Sequence, residues 1–401
     1  MIPLPDFIDR IEGSAHYRTL EVLADSDRAL GSAPELAIDD VHRLEQIDRP
    51  WLSEALAGSV AEAQLLEVVD TDAHDGMTDR KSWSLTWNEP GVAAGLPTSV
   101  FAKATPHTAN HRVMLSVLHM DEAEAKYYAQ LHPENPGLAP ASYYSRSYGG
   151  GRSVIILEDL KARDCLPYTQ ADAIDIEHAR AITVALAKFH AKYWRSDRLD
   201  KDLSWVRPRL QRFGWPWLYQ VNNAMREKFL STATESELPP HARKVLEAWQ
   251  ENSLRVYEYW DAQDLTVIHG DSHLGNTYSA PDGTSGLFDW QVIFAAPGVR
   301  DLTYFLYSAF TDEQRQKYER ECFDLYIDTL AEEGTTVNRE NAWNDFLLFV
   351  LDRWDAGMMS FVHGTYGHAR DAQLRAFDTV AGSVEDNEIY DRLSSLLRRL
   401  P

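Results

Sequence analysis

Cysteine is nearly absent from this chain. Cys165 and Cys322 are the two present in 401 residues, too few for a disulfide framework and without the spacing of a thiolate metal site. Long apolar runs are missing as well. No stretch reaches the roughly 18 consecutive apolar residues that a bilayer span requires. The opening segment, Met1 to Leu20, places charges in every turn where a signal peptide would carry an apolar core. These absences predict a cytoplasmic protein with no membrane association. Basic charge is scarce too, with 39 Lys and Arg against 62 Asp and Glu and a formal net charge of −23. Such a field repels nucleic acid and anionic membrane surfaces. It leaves room for an anionic ligand, because a local cluster of Lys, Arg and Mg²⁺ outweighs distant charge. It mildly favours cationic small molecules, and it also serves plain solubility. No segment asks for an obligatory protein partner, and neither internal repeats nor low-complexity tracts occur.

What remains is an ordinary globular composition, 44% apolar and 25% charged, long enough for two or three domains. Residues 1–50 read as a charged, helical extension without a sharp motif. Trp51 and Leu52 open a short amphipathic helix running through Leu56. From Ala63 the texture changes to short apolar or alternating runs, QLLEVVDTD, SWSLTW, TSVFAKAT and SVIILEDL, punctuated by Gly, Asp and Pro. Between the third and fourth runs, HRVMLSVLHMDEAEAKYYAQL repeats apolar residues at helical spacing. The tract from Pro133 to Ser153 reads as loop. Beyond Leu160 the pattern is mostly helical, interrupted by LTVIHG and SGLFDW, which suggest a strand pair joined across the turn-rich SAPDGT. The expectation is an α+β protein: an N-terminal extension over 1–50, a strand-rich lobe with one main helix over 51–160, and a larger, mostly helical lobe over 161–401.

The chemistry concentrates in Val267-Ile268-His269-Gly270-Asp271-Ser272-His273-Leu274-Gly275-Asn276. Phosphoryl transfer to an alcohol needs a carboxylate that orients the hydroxyl and accepts its proton, and hard oxygen ligands for Mg²⁺. Asp271 suits the first role. Asn276, five residues on, suits the second, and Asp289 in Gly286-Leu287-Phe288-Asp289-Trp290-Gln291 supplies another hard ligand from a strand end. An isolated Asp after an apolar strand is most often a turn residue, so the joint string carries the weight. Together with Leu157-Glu158-Asp159-Leu160 and Asp301-Leu302-Thr303-Tyr304-Phe305-Leu306, it resembles the aminoglycoside phosphotransferase and choline kinase superfamily, and within it the ecdysteroid-kinase-like branch.

That resemblance implies a protein-kinase-like bilobal fold and a kinase that transfers the γ-phosphoryl group of ATP to a hydroxyl of a small substrate. It implies Asp271 as catalytic base, Asn276 and Asp289 as Mg²⁺ ligands, His269 as a structural member of the loop, and Asp301 as a buried acid bonded to that loop. Upstream, Lys103 stands inside the apolar run SVFAKA, an expensive place for an ammonium without a partner. Glu124, ahead of Lys126-Tyr127-Tyr128, matches the helix glutamate that would fix this lysine on the nucleotide phosphates. The segment Leu157, Glu158, Asp159 and Leu160 resembles the hinge, where adenine would pair with backbone groups. Asp75 to Arg80 stands where the family places its phosphate-covering loop. With one glycine it is neither a Walker loop nor a three-glycine loop; Thr78 and nearby N–H groups would cap phosphates, or the segment is a plain turn. His190 reads as a packing histidine. The aromatics of the C-terminal lobe, with acids such as Asp352 and Asp355, suit a flat alcohol or a cationic head group, or simply form core.

Three rivals have less support. A dinuclear metallophosphoesterase lacks its further His and Asp ligands. A protein kinase would carry His-Arg-Asp and Asp-Phe-Gly rather than His-Gly-Asp and Asp-Trp-Gln. A non-catalytic nucleotide-binding member of the fold would not need every expected polar residue, all of which are present.

Overall fold

The computed structural model describes residues 41–58, 60–74, 78–107, 109–235, 237–363 and 370–400. Most of the 1–50 extension, and Asp75, Gly76 and Met77 of the phosphate-loop expectation, therefore lie outside the described residues. Two compact units divide at Leu166 and Pro167. The first is built on a sheet and the second is mainly helical, the α+β arrangement expected from the sequence.

In the first unit, α1 (Arg49–Ala57) starts with Asp48 accepting the Trp51 N–H and with proline in its first turn. Then follow β1 (Leu65–His74), β2 (Asp79–Trp87), α2 (Glu89–Ala93), β3 (Ser99–Ala104), α3 (Ala109–Val117), α4 (Met120–Lys126), β4 (Ser142–Gly149) and β5 (Arg152–Glu158). The strands form one sheet, ordered β1-β2-β3-β5-β4 and antiparallel throughout. Alternate residues of β2 and β3 (Trp83, Leu85, Val100, Ala102) turn to a core that also takes in Val41, Ile47, Trp51 and Leu52. Each large side chain buried there contributes about 1.5–3 kcal/mol.

Two expectations for this unit are corrected. The tract from Pro133 to Ser153 is not all loop, because Ser142–Gly149 is an edge strand paired with β5. Its serine-rich, half-exposed sequence has little apolar signal, and the neighbouring strand supplies the order. The expected single helix is split, since His119 adopts a left-handed conformation at φ 54° between α3 and α4. Its second part continues from α4 into a wide turn over Tyr127–Leu131.

The second unit contains α5 (Ile176–Tyr193), α6 (Trp215–Thr232), α7 (Pro240–Asp261), β6 (Thr266–Ile268), β7 (Thr277–Ser279), β8 (Ser285–Leu287), β9 (Phe294–Ala296), α8 (Val299–Ala309), α9 (Asp312–Glu332), α10 (Arg339–Leu348), α11 (Val350–His363), α12 (Arg370–Asp386) and α13 (Ile389–Arg399). The helices pack around large buried rings such as Trp249, Tyr257 and Trp260. Among the aromatics of this lobe, Trp215, Trp249, Tyr257, Trp260 and Trp354 are core, whereas Phe213 is exposed. The expected pairing of LTVIHG with SGLFDW does not occur. Instead β6 pairs with β9, and β8 with β7, each antiparallel. This exchange leaves residues 269–276 free of any ladder, and it brings Asn276 level with Phe288 through a 3.0 Å backbone bond.

Candidate active site

The loop from His269 to Asn276 follows β6 and is held mostly by one helix. α8 presents Arg300, Tyr304 and Ser308 at intervals of four, hence on one face, with Asp301 beside them. Asp301 accepts the His269 N–H at 2.6 Å and the Gly270 N–H at 3.0 Å. Its own carbonyl accepts the Ser272 hydroxyl at 2.8 Å. Arg300 donates to the Gly270 carbonyl at 2.5 Å, and Ser308 accepts the Leu274 N–H at 2.9 Å. Burial, and then the charge of nearby Asp271, raises the pKa of the Tyr304 hydroxyl. Asp301 thus has the structural, loop-bonding position expected from the sequence.

Burial of Asp301 is complete and by itself would raise its pKa. The imidazole of His190 beside it and the Arg300 guanidinium outweigh this and keep the carboxyl below the usual range. His190 stands 3.4 Å from this carboxylate through Nε2, and its Nδ1 meets the Tyr326 hydroxyl at 2.8 Å. It is a buried packing residue that also orients Asp301. His269 bridges the loop to the hairpin. Its Nδ1 accepts the Asp271 N–H at 3.2 Å, which leaves Nε2–H to donate to the Phe288 carbonyl at 3.0 Å. Burial lowers its pKa despite nearby carboxylates, consistent with that neutral tautomer.

Asp271 and Asn276 come together in this unit, and Asp289 is the residue after Phe288, whose N–H bonds the Asn276 carbonyl. The Asn276 amide donates to the Asp271 carbonyl at 2.8 Å and to its carboxylate at 3.3 Å. His273 Nε2 lies 3.6 Å from the same carboxylate. Asp289 follows Phe288 directly and adopts a left-handed conformation at φ 67°, one that Asp tolerates better than most residues. The Asp271 side chain is 24% exposed, whereas Asn276 and Asp289 are 5% and 9% exposed. Among the described residues no group of three or more His, Cys, Asp or Glu side chains is arranged to hold a metal. The Asp271 carboxylate and Asn276 amide oxygen of the loop, with the Asp289 carboxylate after the hairpin, are the hard-oxygen type of ligand suited to Mg²⁺.

In the other unit, Lys103 on β3 and Glu124 on α4 form a buried pair at 2.6 and 2.8 Å. The lysine placed by sequence in an apolar strand therefore has its partner. Thr78 is buried, and its hydroxyl is 3.4 Å from Arg80 Nε. Leu157 and Glu158 end β5. Glu158 receives the Ala141 N–H at 3.3 Å and pairs with Arg163 at 3.3 Å. Asp159 accepts from the Ser99 hydroxyl at 2.5 Å and from the Lys161 N–H at 3.0 Å, capping the turn that begins at Leu160.

The acids suggested for a cationic head group have other partners. Asp352 receives Arg209 at 2.7 Å and Arg300 at 2.9 Å, and Asp355 receives Arg226 at 2.5 Å. Sequence reasoning missed Arg300, Tyr304 and Ser308. The four-residue spacing of polar groups within the apolar string VRDLTYFLYSA was the available signal.

The model of the ecdysteroid kinase-like family matches residues 93–339, more than half of the chain. No curated protein sequence matches at a significant level. A solved protein from Ralstonia eutropha JMP134, assigned to the aminoglycoside phosphotransferases, is similar with a TM-score of 0.50 at 13% identity, over 86% of this chain and 97% of that one. Choline kinase from Streptococcus pneumoniae gives 0.44 at 13% identity over 85% and 97%. Plasmodium vivax ethanolamine kinase gives 0.49 at 12% over 89% and 93%. At such identities the likeness is one of fold, that of protein-kinase-like small-molecule kinases. On the extent of the family match, the chain belongs to the ecdysteroid kinase-like family.

Proposed function

We propose that the protein is an ATP- and Mg²⁺-dependent phosphotransferase whose acceptor is a hydroxyl of a small organic molecule. The observation that carries this reading is the state of Asp271. It is a partly exposed carboxylate flanked by Gly270 and Ser272, both bonded to Asp301 of α8, and the buried amide of Asn276 donates to it. Such a group accepts a proton from an alcohol without moving. The alcohol oxygen forms the new bond to the γ-phosphorus, the bond from that phosphorus to the β–γ bridging oxygen breaks, ADP leaves, and the hydroxyl proton passes to Asp271. Asn276 and Asp289 would hold Mg²⁺, which neutralises charge on the phosphate oxygens. Lys103, fixed by Glu124, grips the α- and β-phosphates. Backbone groups of Leu157, Glu158, Asp159 and Leu160 meet adenine, and Thr78 caps phosphate.

The test is ADP release from MgATP across a panel of alcohols, with Asp271→Asn as the comparison. Turnover in the wild type should fall by at least a thousandfold in the variant, while MgATP raises Tm equally in both. Unchanged turnover in Asp271→Asn removes the assignment.

A further inference from the structure

Four arginines converge on the two rings that flank the Asp271 loop. Arg209, Arg212 and Arg300 lie 5.0, 4.6 and 5.3 Å from the centre of the Phe294 ring. Arg300 and Arg353 lie 4.5 and 5.0 Å from that of Tyr304. Phe294 pairs with Ile268, the residue before His269, and Tyr304 lies near enough to Asp271 that, after burial, the Asp271 charge raises its pKa. Two of the four have acidic partners, because Arg209 and Arg300 meet on one oxygen of Asp352 and Arg300 also lies 3.4 Å from Asp301. The guanidinium groups of Arg212 and Arg353 have neither ion pair nor hydrogen bond among the described residues. Arg353 is nevertheless 7% exposed, with its Nε buried and lacking an acceptor. An uncompensated guanidinium in such a place is strongly unfavourable. Its planar fork of donors matches a carboxylate or phosphate.

We infer that the acceptor alcohol carries an oxyanion, as a carboxylate or as a phosphate or sulfate ester, which Arg353 and Arg212 receive while Asp271 faces the hydroxyl. This deepens the kinase reading and rests on it. The charge state of Arg212 agrees: burial first, then repulsion by Arg209 and Arg300, push its pKa down to about 9 against the pull of Asp352. An arriving anion relieves that excess of positive charge. The same cluster repels a cationic head group, and the acids that would have attracted one are already paired. The choice left open by composition is thereby decided at the site, against the sign of the whole-chain field.

The test uses the full chain with MgATP and two matched series. One is glycerol, 3-amino-1,2-propanediol, glycerate and glycerol 3-phosphate; the other is a dihydroxysterol and its monosulfate. ADP release should show kcat/KM at least tenfold higher for an anionic member than for its neutral parent. Arg353→Gln and Arg212→Gln should lower that value at least tenfold, mainly through KM and by more than for the neutral parent, with Arg353→Lys recovering part. The Tm of Arg353→Gln should be at or above wild type, because an uncompensated charge is removed. A lower Tm would mark Arg353 as a structural cation and count against the inference. Preference for a neutral or cationic member, or an equal loss on all members in Arg353→Gln, overturns this inference and leaves the kinase reading standing. Turnover of no alcohol in either series overturns both.

Discussion

Gly270 shows how closely single residues set the loop. Its φ is +83°, and an added Cβ would stand 2.4 Å from the Val292 carbonyl oxygen, which is backbone and has no room to yield. Gly270→Ala should cost about 2 kcal/mol or more, seen as a lower urea midpoint with an unchanged slope, and turnover should fall with it. An unaltered midpoint would mean that the loop relaxes freely. Asp289 offers a cleaner separation of charge from backbone. Asn also accepts the left-handed conformation, so Asp289→Asn should keep the wild-type Tm without nucleotide while weakening Mg²⁺-dependent nucleotide binding. A normal MgATP titration of that variant would refute Asp289 as a ligand. At this scale the sequence was informative wherever chemistry sits in a short string: Asp271, Asn276 and Asp289 stand within one loop and one hairpin. Lys103 was visible because an ammonium in an apolar strand calls for a partner. Arg353 and Tyr304 were not, because a helical arginine is unremarkable until its lack of a counter-charge is seen in three dimensions.

Among the elements, α8 is the template on which the loop is laid. Asp301→Ala would leave the buried N–H groups of His269 and Gly270 without acceptors and should cost about 3–5 kcal/mol. Ser308→Ala removes one neutral bond and should cost about 1 kcal/mol. Denaturant midpoints for the two variants check the ratio, and equal losses would deny α8 its graded role. α5 carries a second buried histidine, His178, held by the Thr277 and Ser285 hydroxyls at 3.0 and 3.2 Å. Burial lowers its pKa to about 4, with Asp175 opposing. The folded state therefore binds its proton less readily than the unfolded chain, whose value is near 6.5. Stability from this residue is complete above about pH 6.5 and declines toward pH 4, by on the order of 3 kcal/mol. The Tm advantage of wild type over His178→Gln should narrow steadily across that window, and a constant difference would contradict it. The raised values of Asp121, about 6, and Asp345, about 7, act in the opposite sense and are common to both proteins. Element types were mostly legible from periodicity, but partners were not. β6 and β8 were read as mates because they are close in sequence, whereas each pairs elsewhere, and β4 owes its order to β5 rather than to its own residues.

For the molecule as a whole, the change from period-two to helical patterning near Leu160 was enough to reveal an α+β chain, because sheet and helix bury apolar residues at different intervals. The net charge of −23 was equally legible, and it has a kinetic consequence. MgATP is itself an anion, so screening should speed its arrival. Raising salt from 10 to 150 mM should increase its association rate several-fold in stopped flow, and a decrease would show local cations outweighing the global field. Finally, the loop is anchored by α8, whereas Arg353 belongs to α11. Substitutions on α11 that spare Asp352, the partner of Arg300, leave Asp301 and its amide contacts in place. On the proposed kinase function, a duplicated gene of this kind would be free to drift toward new acceptors while the proposed phosphoryl-transfer loop is inherited intact, which suits the lineage to diversification.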